Sequence, residues 1–121
     1  MRFKILNAYD RDNVTWLSGI YCPDNEAERE DLELLREVLK EVNINNDGVL
    51  LTDRFVSNDK TMLIKSVPMD VVYTLLYLQN SSFNLNIKVV FGRNMQGKAL
   101  KNSIADYFRG KGLLGGADNE V

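Results

Sequence analysis

Histidine is absent from the chain, and cysteine occurs once, as Cys22. The first absence removes the usual transition-metal ligand and the side chain that titrates near neutral pH without help. No Ser-His-Asp or Cys-His catalytic set can be assembled within one chain, and no Cys/His zinc site. Carboxylate, lysine, tyrosine and backbone chemistry are what remain. A single cysteine excludes an internal disulfide and predicts a reducing, cytoplasmic setting. Long apolar runs are missing too. None approaches the roughly 18 residues of a membrane span. The opening Met1-Arg2-Phe3-Lys4-Ile5-Leu6-Asn7 lacks the long apolar segment and small-residue cleavage site of a signal peptide.

What is present is ordinary for a globular domain: 121 residues, 45% hydrophobic and 26% charged. A single α+β domain over residues 1–116 is expected, with 117–121 as a flexible C-terminal tail. The formal charge of −2 conceals a segregation. Residues 1–60 carry 8 basic and 13 acidic side chains; residues 61–121 carry 7 and 4. Acid concentrates between Asp24 and Val42, base between Lys88 and Lys111.

Phe3 to Tyr9 predicts a strand, Asp10-Arg11-Asp12-Asn13 a turn, and Val14 to Tyr21 a returning strand with Gly19 at a bulge. After Cys22-Pro23, Asn25 followed by Glu28 forms a capping box for a helix to about Val42. Its buried stripe is Leu32, Leu35, Leu39 and Val42, widened by Leu34 and Val38. Asn43 to Gly48 predicts a turn-rich linker. Val49–Val56 and Thr61–Val67 predict strands joined through Ser57 to Lys60, and Pro68 stops the second. An apolar, buried helix is expected from Asp70 to about Gln79. Phe83, Leu85, Ile87, Val89 and Phe91 alternate with polar residues, so residues 83–91 predict one half-buried strand. Lys98 to Arg109 predicts a helix that buries Leu100, Ile104, Tyr107 and Phe108, with Gly110 ending it. The expected order is ββαββαβα, a mostly antiparallel or mixed sheet with helices packed on one face.

Gly92-Arg93-Asn94-Met95-Gln96-Gly97-Lys98 matches G-x-x-x-x-G-K, the start of a phosphate-binding loop, between a strand and a helix. Glycines let backbone N–H groups turn inward, and Arg93, Lys98 and Lys101 add charge. Ala99 stands where a nucleotide hydrolase needs a hydroxyl for Mg²⁺, and no later strand can supply a metal-binding acid. Lys88, Arg93, Lys98, Lys101, Arg109 and Lys111 offer charge for a nucleic-acid backbone, with Tyr107 or Phe108 to stack. Asp10, Asp12, Asp24, Asp53 and Asp59 are the candidates for carboxylate chemistry, but turn aspartates have a structural reason to exist, and no D/E-x-K triplet occurs. Cys22 has no activating histidine, and Trp16 on a strand is expected in the core.

Exclusion therefore leads to a small non-enzymatic, intracellular binding or regulatory protein acting on a protein partner, such as a phage-type inhibitor. It needs no cofactor and no metal. The contact surface would be the acidic helix, at Glu26, Glu30, Glu33 and Glu37. The alternative is a phosphate-ligand binder, for nucleotide or nucleic acid, at Gly92, Arg93, Gly97, Lys98 and Lys101. Membrane association is not expected, and the sequence leaves the oligomeric state open.

Overall fold

A computed structural model describes residues 1–39, 45–46, 49–50, 54–57, 62–93, 95 and 97–115. Strand β1 (Arg2–Arg11) and strand β2 (Val14–Cys22) form a long antiparallel hairpin. Its turn is made by Asp12 and Asn13, both at positive φ (54° and 63°). That is the two-residue turn whose twist matches the strands, and Asp and Asn tolerate it well. Helix α1 (Glu26–Leu39) follows, then a separate pair of two-residue strands, β3 (Asn45–Asn46) and β4 (Val49–Leu50). Strands β5 (Phe55–Ser57) and β6 (Met62–Pro68) lead into helix α2 (Met69–Phe83). Strand β7 (Lys88–Phe91) and helix α3 (Lys98–Gly110) complete the order.

The main sheet runs β5-β6-β2-β1-β7. It is mixed: β7 lies parallel to β1, and the other neighbours are antiparallel. Beyond β7, Leu114 makes a parallel bridge to Val89, and the Gly115 N–H donates to the Val89 carbonyl at 2.6 Å. The α+β class, the mixed sheet and the two-strand opening are as the residues predicted.

Phe3 and Ile5 of β1, Leu17 and Tyr21 of β2, Met62 and Ile64 of β6, and Val89 and Phe91 of β7 are buried on one face. Leu32 and Leu35 of α1, Val72, Leu75 and Leu76 of α2, and Ile104 and Phe108 of α3 close the same core. Gly19 lies on this face because Phe3 crosses it; a Cβ there would sit 2.4 Å from the Phe3 ring and 2.8 Å from the Lys4 carbonyl. The register slips at this level. Leu6 is the extra residue on β1, and a second irregularity separates Ile64 from Val67 on β6.

Four expectations need correction. The strand expected over residues 83–91 is only four residues long, because α2 continues to Phe83. Asn84 ends the helix in the left-handed region (φ 53°), its N–H returning to the Asn80 carbonyl. The Asn80 side chain then holds both backbone groups of Ile87, at 2.8 and 3.2 Å. The apolar alternation is thus shared by the last residue of α2, Phe83, and a loop residue, Leu85, which both pack against the core without strand pairing. Second, of the strand expected over residues 49–56, Val49–Leu50 belong to β4 and Phe55 and Val56 to β5, in different sheets, and residues 51–53 lie outside the described residues. Third, Leu34 does not widen the buried stripe of α1: it is 47% exposed. On α2, likewise, Tyr77 and Leu78 face outward. Fourth, Trp16 is not in the core. It pairs with Tyr9 on the opposite face of the sheet, half-buried. The end of the first helix beyond Leu39, the loop residues Asn58 to Lys60, and the tail 117–121 lie outside the described residues.

Candidate functional site

Helix α1 starts at a cap that resembles the predicted box but is displaced by one residue. The Asn25 Oδ1 accepts from the Glu28 N–H at 2.9 Å, while Glu28 Oε1 accepts from the Asp24 N–H at 2.8 Å. The other Glu28 oxygen takes a hydrogen bond from the Met1 ammonium at 2.7 Å. These two charge-assisted bonds hold its carboxyl below the usual carboxylate range, the ammonium contributing most. Glu28 is therefore a structural clasp between the chain start and the helix.

Glu26, Glu30 and Glu33 point to solvent. The helix cations lie one turn from two of them: Arg29 Nε sits 3.6 Å from Glu26, and Arg36 Nη1 2.8 Å from Glu33. Among the described residues Glu30 has no cationic partner. Leu34 is four residues on from Glu30 and therefore its neighbour on the helix surface. The side chain of Glu37 lies outside the described residues. The outer surface of α1 thus carries an exposed leucine bordered by glutamates.

Two backbone donors of the Gly92–Lys98 segment are committed within the fold. Gly92 is buried and continues the ladder, its N–H donating to the Ile5 carbonyl at 2.8 Å. Met95 N–H donates back to Gly92. Gly97 takes φ 83° as the N-cap of α3, and no side chain caps the helix. Arg93, Gly97 and Lys98 are exposed, but the Lys101 ammonium lies 5.3 Å from the centre of the Phe91 ring. Asn94 and Gln96 lie outside the described residues.

The basic C-terminal stretch is largely engaged within the fold. Lys88 Nζ donates to the Gly112 carbonyl at 2.8 Å, and Arg109 pairs with Asp106. Lys111 lies over Tyr73 and Tyr107, 4.8 and 5.5 Å from the ring centres. Tyr107 is half-buried beside Tyr73, and Phe108 is in the core. Burial raises the Tyr107 hydroxyl, with a smaller push from Asp70.

The described members of the carboxylate set, Asp10, Asp12 and Asp24, each meet a partner within the fold. Asp10 accepts from the Thr15 hydroxyl at 2.7 Å, and Asp24 holds the Arg2 guanidinium at 2.8 Å. Asp53 and Asp59 lie outside the described residues. Among the described residues no three His, Cys, Asp or Glu side chains converge as a metal site, and no helix is long and apolar enough to cross a membrane. An open hollow of about 250 Å³ lies between the hairpin turn and the start of α2, lined by Asn13, Val14, Thr15, Pro68, Met69 and Asp70. It falls short of the roughly 300–1,000 Å³ of small-molecule sites.

A surface that the sequence did not single out is the open face of the main sheet. Paired residues share a face, so Val56, Leu63, Ile20, Lys4 and Val90 form one row across all five strands. Along β2, Trp16 and Ser18 follow Ile20 on this face. Trp16 stacks on Tyr9 with the rings 7° from parallel, and the Arg11 guanidinium lies 5.3 Å from its ring centre. Period-two alternation could have marked this face, but only once the extra residue at Leu6 was known. Comparison of the chain with known protein families, with curated proteins and with solved structures finds no match.

Proposed function

We propose that this chain is a non-enzymatic regulatory protein that acts by binding a protein partner through the outer surface of α1. The observation that carries this reading is Leu34, 47% exposed on a helix whose other solvent-facing positions are mainly acidic. An apolar anchor within a charged border is the composition of a protein contact, where the border steers approach and the anchor supplies desolvation. A partner with a basic, grooved surface fits best. Inhibitors that mimic a polyanion use the same chemistry, which keeps the phage-type inhibitor within this proposal. The phosphate-ligand alternative at Gly92, Arg93, Gly97, Lys98 and Lys101 ranks second, because it rests on fewer uncommitted donors.

The test is capture from the source cell or its host with immobilised protein. The triple variant Glu30→Lys, Glu33→Lys, Glu37→Lys and, separately, Leu34→Asp should each reduce recovery of the captured partner at least about tenfold, the equivalent of 1.4 kcal/mol. Both should fold as the wild type does. Undiminished capture by both variants would end the assignment to α1.

A further inference from the structure

We infer that the open face of the main sheet binds single-stranded nucleic acid, with Tyr9 and Trp16 receiving bases and Lys4 and Lys65 receiving phosphates. This goes beyond the reading of α1 and rests on none of its residues. The first observation is the sign of the charge. Arg2, Lys4, Arg11, Lys65 and Lys88 project from the strands on this side, and among the described strand residues of the face there is no Asp or Glu. Two acids stand at its margins: Asp24 pairs with Arg2, and Asp12 lies 3.9 Å from Arg11. Lys4 and Lys65 make no ion pair among the described residues, and Lys88 meets a carbonyl and so retains its charge. An anionic occupant is what complements such a surface.

The second observation is the shape of what lies between the cations. Val56 and Leu6 are 45% and 40% exposed and Leu63 and Ile20 are half-buried, so apolar surface runs from Val56 to Ile20 beside Lys4; Val90, at the far end of the row, is buried. The Tyr9–Trp16 pair stands at the end of the same face, half-buried, with Arg11 against it. Aromatic rings on a sheet surface receive unpaired bases by stacking, while neighbouring cations follow the backbone. A duplex keeps its base faces stacked on one another, so a flat aromatic platform selects the single strand. An acidic peptide would satisfy the lysines but would leave the aromatic pair without a flat partner. The overall acidity of the chain does not oppose this, because acid is concentrated on α1, which packs against the other side of the sheet.

Trp16 is the chain's one tryptophan, so its fluorescence reports on this surface directly. Dye-labelled oligo(dT) and oligo(U) would be titrated with the full chain at 50 and 200 mM salt, reading dye anisotropy and Trp16 emission together. Saturable binding with quenching of Trp16 is expected. Contacts to about three phosphates should weaken affinity about twentyfold between the two salt concentrations. Lys4→Glu with Lys65→Glu should lower affinity at least tenfold, and Tyr9→Ala should remove most of the quenching. Lys4→Gln with Lys65→Gln serves if the reversal variant unfolds. Absence of binding, binding without a change in Trp16 emission, or binding unaffected by the Lys4 and Lys65 variants would overturn the proposal. Equal affinity for poly-glutamate would reassign the face to an acidic protein, and equal affinity for duplex would remove the single-strand specificity.

Discussion

Tyr21 and Gln79 are a polar pair inside an apolar core. The Tyr21 hydroxyl donates to Gln79 Oε1 at 2.9 Å, and Gln79 Nε2 is buried with no partner. Burial raises the Tyr21 hydroxyl well above its ordinary value, and the bond to Gln79 only partly opposes it. Tyr21→Phe should therefore cost about 1–3 kcal/mol in urea unfolding, because both ends of the Gln79 amide would then be unsatisfied. Adding Gln79→Leu should recover much of that loss by removing the stranded amide. Glu28 gives a prediction in pH. Its carboxyl is held below the usual carboxylate range, so the stability it contributes is present above that range and is lost as pH falls through its folded value. Urea titrations of wild type and Glu28→Gln should differ by about half a kcal/mol near pH 7, the modest size set by solvent screening. That difference should vanish in strong acid. Neither pairing was legible from residue types. The acid at position 28 was assigned to a cap, but its second contact, with the chain terminus, depends on where β1 begins beside α1.

Among the elements, the segment from Asn80 to Ile87 shows what periodicity can and cannot say. Alternation identified Phe83, Leu85, Ile87, Val89 and Phe91 as apolar positions, and all five are buried or packed on the core. It did not identify pairing. Strand β7 pairs along β1 from Arg2 to Ile5 and bridges Leu114 at Val89, and among the described residues those before Lys88 have no partner in the β1 ladder. Asn80 replaces that missing neighbour by bonding both backbone groups of Ile87. Asn80→Ala should accordingly destabilise the protein by about 2 kcal/mol and speed hydrogen exchange at the Ile87 amide. Asn86→Ala, at an exposed position of the same loop, should change neither. Helix α1 was the plainest element in the sequence, because apolar residues at three- and four-residue spacing follow an Asn cap. Yet Leu34, adjacent to that stripe, is turned to solvent. A stripe's edge is set by what packs on it, which is information from other elements.

At the scale of the whole molecule, charge sorting was visible as an acidic and a basic half of the chain, but folding redistributes it. Lys88, Lys101, Arg109 and Lys111 from the basic half are engaged with carbonyl, aromatic or acidic groups of the fold. Arg2, Lys4 and Arg11 from the acidic half help to form the cationic sheet face. The two proposed surfaces lie on opposite sides of the sheet, so the α1 charge reversals should leave oligonucleotide affinity within about twofold, and the Lys4 and Lys65 variants should leave partner capture unchanged. The sequence by itself determined the α+β class, the three helices, the opening hairpin and the exclusion of histidine chemistry. Each of these depends on local period, turn residues or composition. The tertiary structure alone decided which strands are neighbours, where Leu6 adds a residue to β1, and that Trp16 faces outward from the sheet. The reason is physical: in a strand the two faces alternate residue by residue, so one inserted residue exchanges them, and only the register with neighbouring strands records it.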